Sequence, residues 1–191
     1  MKVSIINLGS QYTHVIWRTC RELGVEGVIQ QPTVPAADAD FFDAFILSGG
    51  PASAPEMPIT QPHRLIAETA SGKSEKPVFG ICLGHQLITH VLGGKVEKGP
   101  SAEYGVSEIE VDKPGTLLAG VPPKFRAWVS HFDEVTRAPD GFEILAHSAT
   151  CKIEAMEHVS RPLYGVQFHP EVWHTQHGEK ILENFLKTVK A

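Results

Sequence analysis

The sequence predicts an α/β fold: a single-domain, open, twisted, mostly parallel sheet with helices on both faces and an antiparallel extension. Three observations carry that prediction. Across the first half, short apolar runs alternate with segments of helical spacing, the rhythm of a parallel sheet covered by helices. Across the second half, short strand-like runs follow one another with turns between them and little helix. An amphipathic segment closes the chain.

Lys2–Leu8 reads as a first strand ended by the Gly9-Ser10 turn. Tyr12, Val15, Ile16, Thr19, Cys20 and Leu23 then fall on one helical face, with Gly24 as a stop. Val25–Gln30 and Asp43–Leu47 are the next strands, the latter ending at Ser48-Gly49-Gly50-Pro51. Pro51, Pro55, Pro58 and Pro62 mark a loop without regular structure. A helix over Arg64–Ala70 leads to the buried strand Pro77–Ile81 and to a helix from Leu83 to Leu92. Tyr104–Val111, Lys124–Val129, Phe142–His147, Lys152–His158 and Leu163–Phe168 are the strands of the extension. Gly178–Lys190 is the closing helix, with Ile181, Leu182, Phe185, Leu186 and Val189 on its apolar face. No repeat, low-complexity tract or linker interrupts the chain, so residues 1–191 read as one domain.

A hydrophobic share of 42% against 20% charged is a globular composition. The formal net charge of -5, with Lys and Arg scattered, argues against a nucleic-acid or anionic-membrane partner. No apolar run approaches the ~20 residues that span a bilayer. The N-terminus has the pattern of a strand, without a signal-peptide cleavage site. Three cysteines, none in a CxxC spacing, suit a reducing cytoplasm.

The chemistry concentrates at Gly80-Ile81-Cys82-Leu83-Gly84. A G-x-C-x-G motif between an apolar strand and a helix is a nucleophile elbow: the sharp turn holds the nucleophile strained and demands small neighbours. The helix N-terminus adds positive potential and free N–H groups, which favour a thiolate. Cys82 is therefore the candidate nucleophile and the Leu83 N–H the candidate oxyanion donor. A buried structural cysteine beside two packing glycines is the plain alternative. In Gly165-Val166-Gln167-Phe168-His169-Pro170-Glu171, a strand ends at a histidine, and a carboxylate follows a stiff proline. That brings an imidazole to the sheet edge with Glu171 able to fix its tautomer, as a triad requires. The Gly49-Gly50 turn closes a strand at the same edge and can present an N–H to a ligand.

Together, SGGP, GICLGHQ and FHPE in this order resemble the class I, triad-type glutamine amidotransferases, nearly end to end from Ile5 to Leu186. The resemblance implies an open α/β sheet and a Cys82–His169–Glu171 triad that hydrolyses the side-chain amide of glutamine. It implies Gly50 and Leu83 N–H groups as the oxyanion cradle, Gln86 as a substrate contact, and the Ser130-His131-Phe132 backbone as the seat of the substrate's α-amino and α-carboxylate groups. Within the family, Gly9-Ser10-Gln11-Tyr12-Thr13, Glu103-Tyr104-Gly105, the Trp128 to Val135 stretch and His169-Pro170-Glu171-Val172-x-His174-Thr175 resemble the amidotransferases of GMP synthetases. A chain that stops at Ala191 is similar to the separate glutaminase subunit of the archaeal-type, two-subunit enzymes. ATP, xanthosine monophosphate and magnesium would then sit on an ATP-pyrophosphatase partner, with no cofactor on this chain. Anthranilate and aminodeoxychorismate synthase subunits, and γ-glutamyl hydrolase-like cysteine hydrolases, are the other enzyme readings. A degenerate regulatory module is the non-enzyme reading, although Cys82, His169 and Glu171 are all present.

Three departures from the family pattern stand out. Asn7 replaces a common Asp and is expected to alter packing rather than chemistry. Ala52 replaces a common Gly, and Phe132 a small residue, with consequences for the glutamine pocket. His174 and His177 have HxxH spacing, but nothing completes a ligand set at the usual spacing, so no metal is expected. His131, Asp133 and His174 are read as facing the synthetase partner. Cys20 reads as core and Cys151 as inert.

Overall fold

The structure, a computed structural model, describes residues 1–33 and 36–189. Its strands form one nine-stranded sheet. They are β1 (Lys2–Ile6), β2 (Glu26–Gln30), β3 (Ala44–Leu47), β4 (Val78–Ile81), β5 (Lys95–Val111), β6 (Lys124–Arg137), β7 (Phe142–Ser148), β8 (Ala155–His158) and β9 (Leu163–Val166). The order is β2-β1-β3-β4-β9-β8-β7-β5-β6. The first five strands in that order pair in parallel, and the rest pair antiparallel; β9, expected within the antiparallel extension and as far as Phe168, instead pairs in parallel with β4 and ends at Val166.

The inner parallel strands β3, β4 and β9 are buried on both faces because both are covered, whereas the edge strand β2 is partly exposed. In β3, Ala44 and Ile46 join one core while Phe45 and Leu47 join the other, the period of two that a pleated strand imposes. Helices α1 (Thr13–Glu22) and α4 (Gly178–Leu186) supply Ile16, Cys20, Ile181, Leu182 and Phe185 to the first core. Helices α2 (Gln61–Ala70) and α3 (Leu83–Val91) supply Leu65, Ile66, Leu87 and Ile88 to the second.

Several boundaries differ from the sequence reading. Pro62 lies in the first turn of α2 rather than in an irregular loop, because a proline there removes an N–H that has no helical partner anyway. Thr60 and His63 close a reciprocal capping box before it. Pro55 sits in a 3-10 turn over Ala54–Glu56, and another 3-10 turn covers Ala36–Phe41. The predicted Tyr104–Val111 strand is the second half of the much longer β5, and Lys124–Val129 the first half of β6. A register shift between Lys98 and Glu103 absorbs the Gly99-Pro100 interruption that hides the continuity. The Lys152–His158 strand begins only at Ala155. Residue 190, the expected end of the closing helix, lies outside the described residues.

The glycines beside Cys82 are required by packing. A Cβ at Gly80 would enter the backbone of Gly84, and one at Gly84 would enter the Leu47 carbonyl and come within 2.8 Å of Leu47 Cβ. Gly84→Ala is therefore expected to destabilise the fold by ~1–3 kcal/mol as strand and helix are pushed apart. Urea unfolding checks this: the midpoint falls with the slope unchanged.

Candidate active site

Three adjacent parallel strands deliver the site. β3 runs into Gly49-Gly50, β4 into Cys82 and β9 into His169, all at the carboxyl edge of the sheet, where ligand crevices of open α/β sheets form. Cys82 sits between β4 and α3 at φ 50° and ψ -104°, a conformation that costs a non-glycine residue about 1–3 kcal/mol. Its N–H is held by the Val166 carbonyl at 2.8 Å and its carbonyl by the Gln86 N–H at 3.0 Å. The strain is imposed from both sides, by the strand ladder and by the helix. As the first residue of α3, Leu83 has an N–H without an intrahelical acceptor.

The Cys82 thiol donates to the Ser130 carbonyl at 3.8 Å and lies close enough to the His169 ring to influence its charge. His169 Nδ1 lies 2.9 Å from Glu171 Oε1, with both side chains buried. Burial by itself would lower the His169 pKa. The Glu171 charge, the neighbouring Cys82 and the hydrogen bond to Glu171 outweigh it and hold the ring well above its ordinary value. The ring is therefore a proton store beside the thiol, oriented by a carboxylate.

The surroundings immobilise this imidazole. The His169 N–H donates to the Trp128 carbonyl at 2.9 Å, and the Thr175 hydroxyl donates to the His169 carbonyl at 2.6 Å while accepting from the Trp128 N–H. The Tyr12 ring meets it edge-on at 5.5 Å. The cleft outside has a volume of about 310 Å³ and is lined by Ser10, Tyr12, Gly50, Tyr104 and Ser130 around Cys82 and His169. Tyr12, Thr175 and Tyr104 have no place in the residue-by-residue reading. Their signal is the GSQYT, HPEVxHT and EYG stretches, which mark a resemblance without saying what each side chain does.

The other candidates are distributed as follows. Gly50 lines the cleft, and a Cβ on it would collide with the Leu8 carbonyl. The Gly49 carbonyl is held at 2.8 Å by the Ser48 hydroxyl, which also accepts the Leu8 N–H. Gln86 lies one turn beyond Cys82 but does not line the cleft. Its amide donates to the Asp133 carbonyl at 2.6 Å and to Gln167 Oε1 at 3.1 Å, locking α3 to β6. Ser130 is at the cleft, whereas Phe132 projects outward, half-exposed, with Lys98 over its ring. His131 is buried against Glu103 rather than presented to a partner, because alternation along β6 turns it away from the Ser130 side. Asp133 accepts the Ser53 hydroxyl at 2.7 Å. His174 stacks between Trp128 and Trp173. Asn7 closes a turn, its side-chain Oδ1 accepting the Gly9 N–H and the Thr13 hydroxyl, which gives that departure a packing role.

A nucleophilic thiol, a proton-carrying imidazole and free N–H groups at one cleft suit acyl transfer from an amide through a covalent intermediate. The sequence profile of the glutamine amidotransferase class-I family matches residues 4–189. The chain is 47% identical over 187 residues to a glutamine-hydrolysing GMP synthase subunit of Pyrococcus abyssi, covering 97% of each chain. It is 44% identical over 188 residues to the protein of the same name from Methanocaldococcus jannaschii, covering 97% of this chain and 96% of that one. Among solved structures, a protein from Thermoplasma acidophilum assigned as a GMP synthase subunit superposes with a TM-score of 0.89 at 34% identity, covering 99% of this chain and 94% of that one. No helix among the described residues is long and apolar enough to cross a membrane. By sequence and by fold, the chain belongs to the class-I glutamine amidotransferases.

Proposed function

We propose that this chain is the glutaminase subunit of a two-subunit GMP synthetase, working in the cytoplasm. The observation that carries the reading is the strained Cys82 held against the His169–Glu171 pair at the carboxyl edge of the sheet. Relatives named as glutamine-hydrolysing GMP synthase subunits, matched over nearly their whole length, support it. The Cys82 thiolate attacks the side-chain carboxamide carbon of glutamine, and the Gly50 and Leu83 N–H groups hold the tetrahedral oxyanion. His169 gives its proton to the departing ammonia, leaving a γ-glutamyl thioester on Cys82. His169, now neutral, takes a proton from water as the hydroxyl adds to the thioester carbonyl, and the C–S bond breaks to release glutamate and restore the thiolate. Glu171 keeps the ring in register throughout. The backbone of Ser130, His131 and Phe132 positions the rest of the substrate, and Gln86 acts from behind the cleft by holding α3 against β6. The hydrolysis needs no cofactor on this chain. ATP and magnesium belong to an ATP-pyrophosphatase partner that uses the ammonia to convert xanthosine monophosphate to GMP.

Released ammonia is lost unless that partner is docked, so the isolated subunit should be nearly idle. The partner acts by binding the competent state more tightly, which is typically worth ~5–150-fold. The Gly49–Gly50 peptide, whose carbonyl rests on Ser48, is the element that can reverse its direction at low steric cost. Ammonia release from glutamine, measured with and without an ATP-pyrophosphatase partner plus its nucleotides, tests the proposal. A several-fold or greater rise is expected. Equal rates would sink the coupling, and absence of glutaminase activity in both mixtures would sink the function.

A further inference from the structure

Behind the cleft, on the opposite side of β6 from Ser130, lies a set of buried side chains that the hydrolysis does not use. Glu103 on β5 and His131 on β6 are directly opposed in the strand register. Glu154 immediately precedes β8, where its N–H donates to the Ala146 carbonyl and its own carbonyl accepts the Gln167 N–H. The Glu154 residue is fully buried, and the side chains of His131 and Glu103 are 3% and 11% exposed. Neither Glu154 carboxylate oxygen accepts a hydrogen bond of good geometry, although the Ser148 hydroxyl lies close enough to favour the charged form. Glu103 Oε2 and His131 Nε2 face each other as a close pair at 2.9 Å, but outside hydrogen-bond geometry, and neither atom makes a hydrogen bond. One ligand atom from each residue falls within 4.8 Å of the others.

We propose that Glu103, His131 and Glu154 form a binding site for one divalent transition-metal ion, represented by Zn2+. An ionised carboxylate buried without donors costs several kcal/mol, and native chains rarely leave one uncompensated. Burial raises the Glu154 pKa to about 8, and a dication bound between Glu103 and Glu154 would take the place of that proton and neutralise both carboxylates. The mixed nitrogen and oxygen donor set suits Zn2+ or Mn2+ better than a purely oxygen-seeking cation. The surrounding groups leave this geometry in place. His85 is fully buried, with His131 and the Ile153 backbone near its ring, Glu134 and Lys152 lie at the margin, and Ser148 and Cys151 sit on the adjoining turn. The ion would pin the β5–β6 hairpin to the β8 edge, one residue from the Ser130 carbonyl that receives the Cys82 thiol. Its role is structural, outside the hydrolytic steps and independent of the synthetase assignment.

The test uses the full chain, stripped with a chelator and then titrated with Zn2+ by calorimetry and by thermal unfolding. Saturable binding of one equivalent is expected, with Tm raised by about 5 °C or more at ~100-fold excess over Kd. Glu154→Gln and Glu103→Gln should each weaken binding at least tenfold and remove the Tm rise, whereas a His174→Ala/His177→Ala double variant should keep both. If Glu154→Gln does not fold, the more peripheral Glu103→Gln decides. Absence of saturable binding overturns the proposal, as does binding that survives both glutamine variants or disappears only in the double histidine variant. A rise in the Tm of metal-free Glu154→Gln in a chain that never takes Zn2+ also overturns it, since the cluster would then be holding a proton instead.

Discussion

The Cys82→Ala chain is expected to lose glutaminase activity by about ten-thousandfold or more while remaining folded. No other group on the cleft can form the thioester, and the groups that remain act on an attack that no longer occurs. The fold survives because the elbow is imposed by the Val166 and Gln86 backbone bonds and by the packing of Gly80 against Gly84. Cys82→Gly sharpens the point. A residue without a Cβ relieves the strain at φ 50°, so this variant should be inactive yet more stable to unfolding than the parent by on the order of 1 kcal/mol, seen as a higher urea midpoint. Ammonia release and urea unfolding on the same preparations measure both. A glutamine-analogue electrophile should label Cys82 alone. Burial raises the Cys20 thiol pKa to about 11. Burial, with the charges of Glu154, Glu134 and Glu103, pushes the Cys151 thiol still further above its ordinary value. Labelling at Cys151, or retained activity in Cys82→Ala, would remove Cys82 from the mechanism.

What the sequence discloses about this site follows from how local each constraint is. Gly80, Cys82 and Gly84 lie within one turn of chain, and their steric reason is contained in it, so the elbow is readable from those few residues alone. His169-Pro170-Glu171 is equally local, since the ion pair closes over two residues. The inner strands β1, β3 and β4 are legible because they are buried apolar runs, but the direction of β9 is not, since a short apolar run looks the same whether its neighbour runs parallel or antiparallel. The β5–β6 hairpin is not, because a bulge around Gly99-Pro100 breaks the alternation midway. The Glu103, His131 and Glu154 cluster is also illegible. Its members come from three separate stretches of chain, and a glutamate on an alternating strand has the same pattern whether it meets water or another buried carboxylate. Gln86 falls between these cases. Its position one turn after Cys82 is readable, but its bonds to Asp133 and Gln167 depend on which strands lie beneath α3.

The second large effect separates the base from the group that orients it. His169→Ala should be nearly as damaging as loss of Cys82, because the members of a triad act as a unit. Glu171→Gln should cost less. The glutamine still fills the buried position beside Nδ1, but it no longer supplies the charge that opposes the cost of burying an imidazolium. The sign of the pH effect follows from that balance. Burial lowers the His169 pKa, and Glu171 is the first of the opposing influences that raise it. Removing the charge therefore lowers it, and the ring loses its proton at lower pH. Protonation of the leaving ammonia requires the imidazolium, so the alkaline limb of kcat/KM should move to lower pH in Glu171→Gln, with the acid limb less affected. A carboxylate that merely packed beside His169 would lower the rate at every pH and leave the limb where it is. That result, from steady-state ammonia release across the pH range, would deny Glu171 its electrostatic role, and full activity in His169→Ala would deny His169 the role of base.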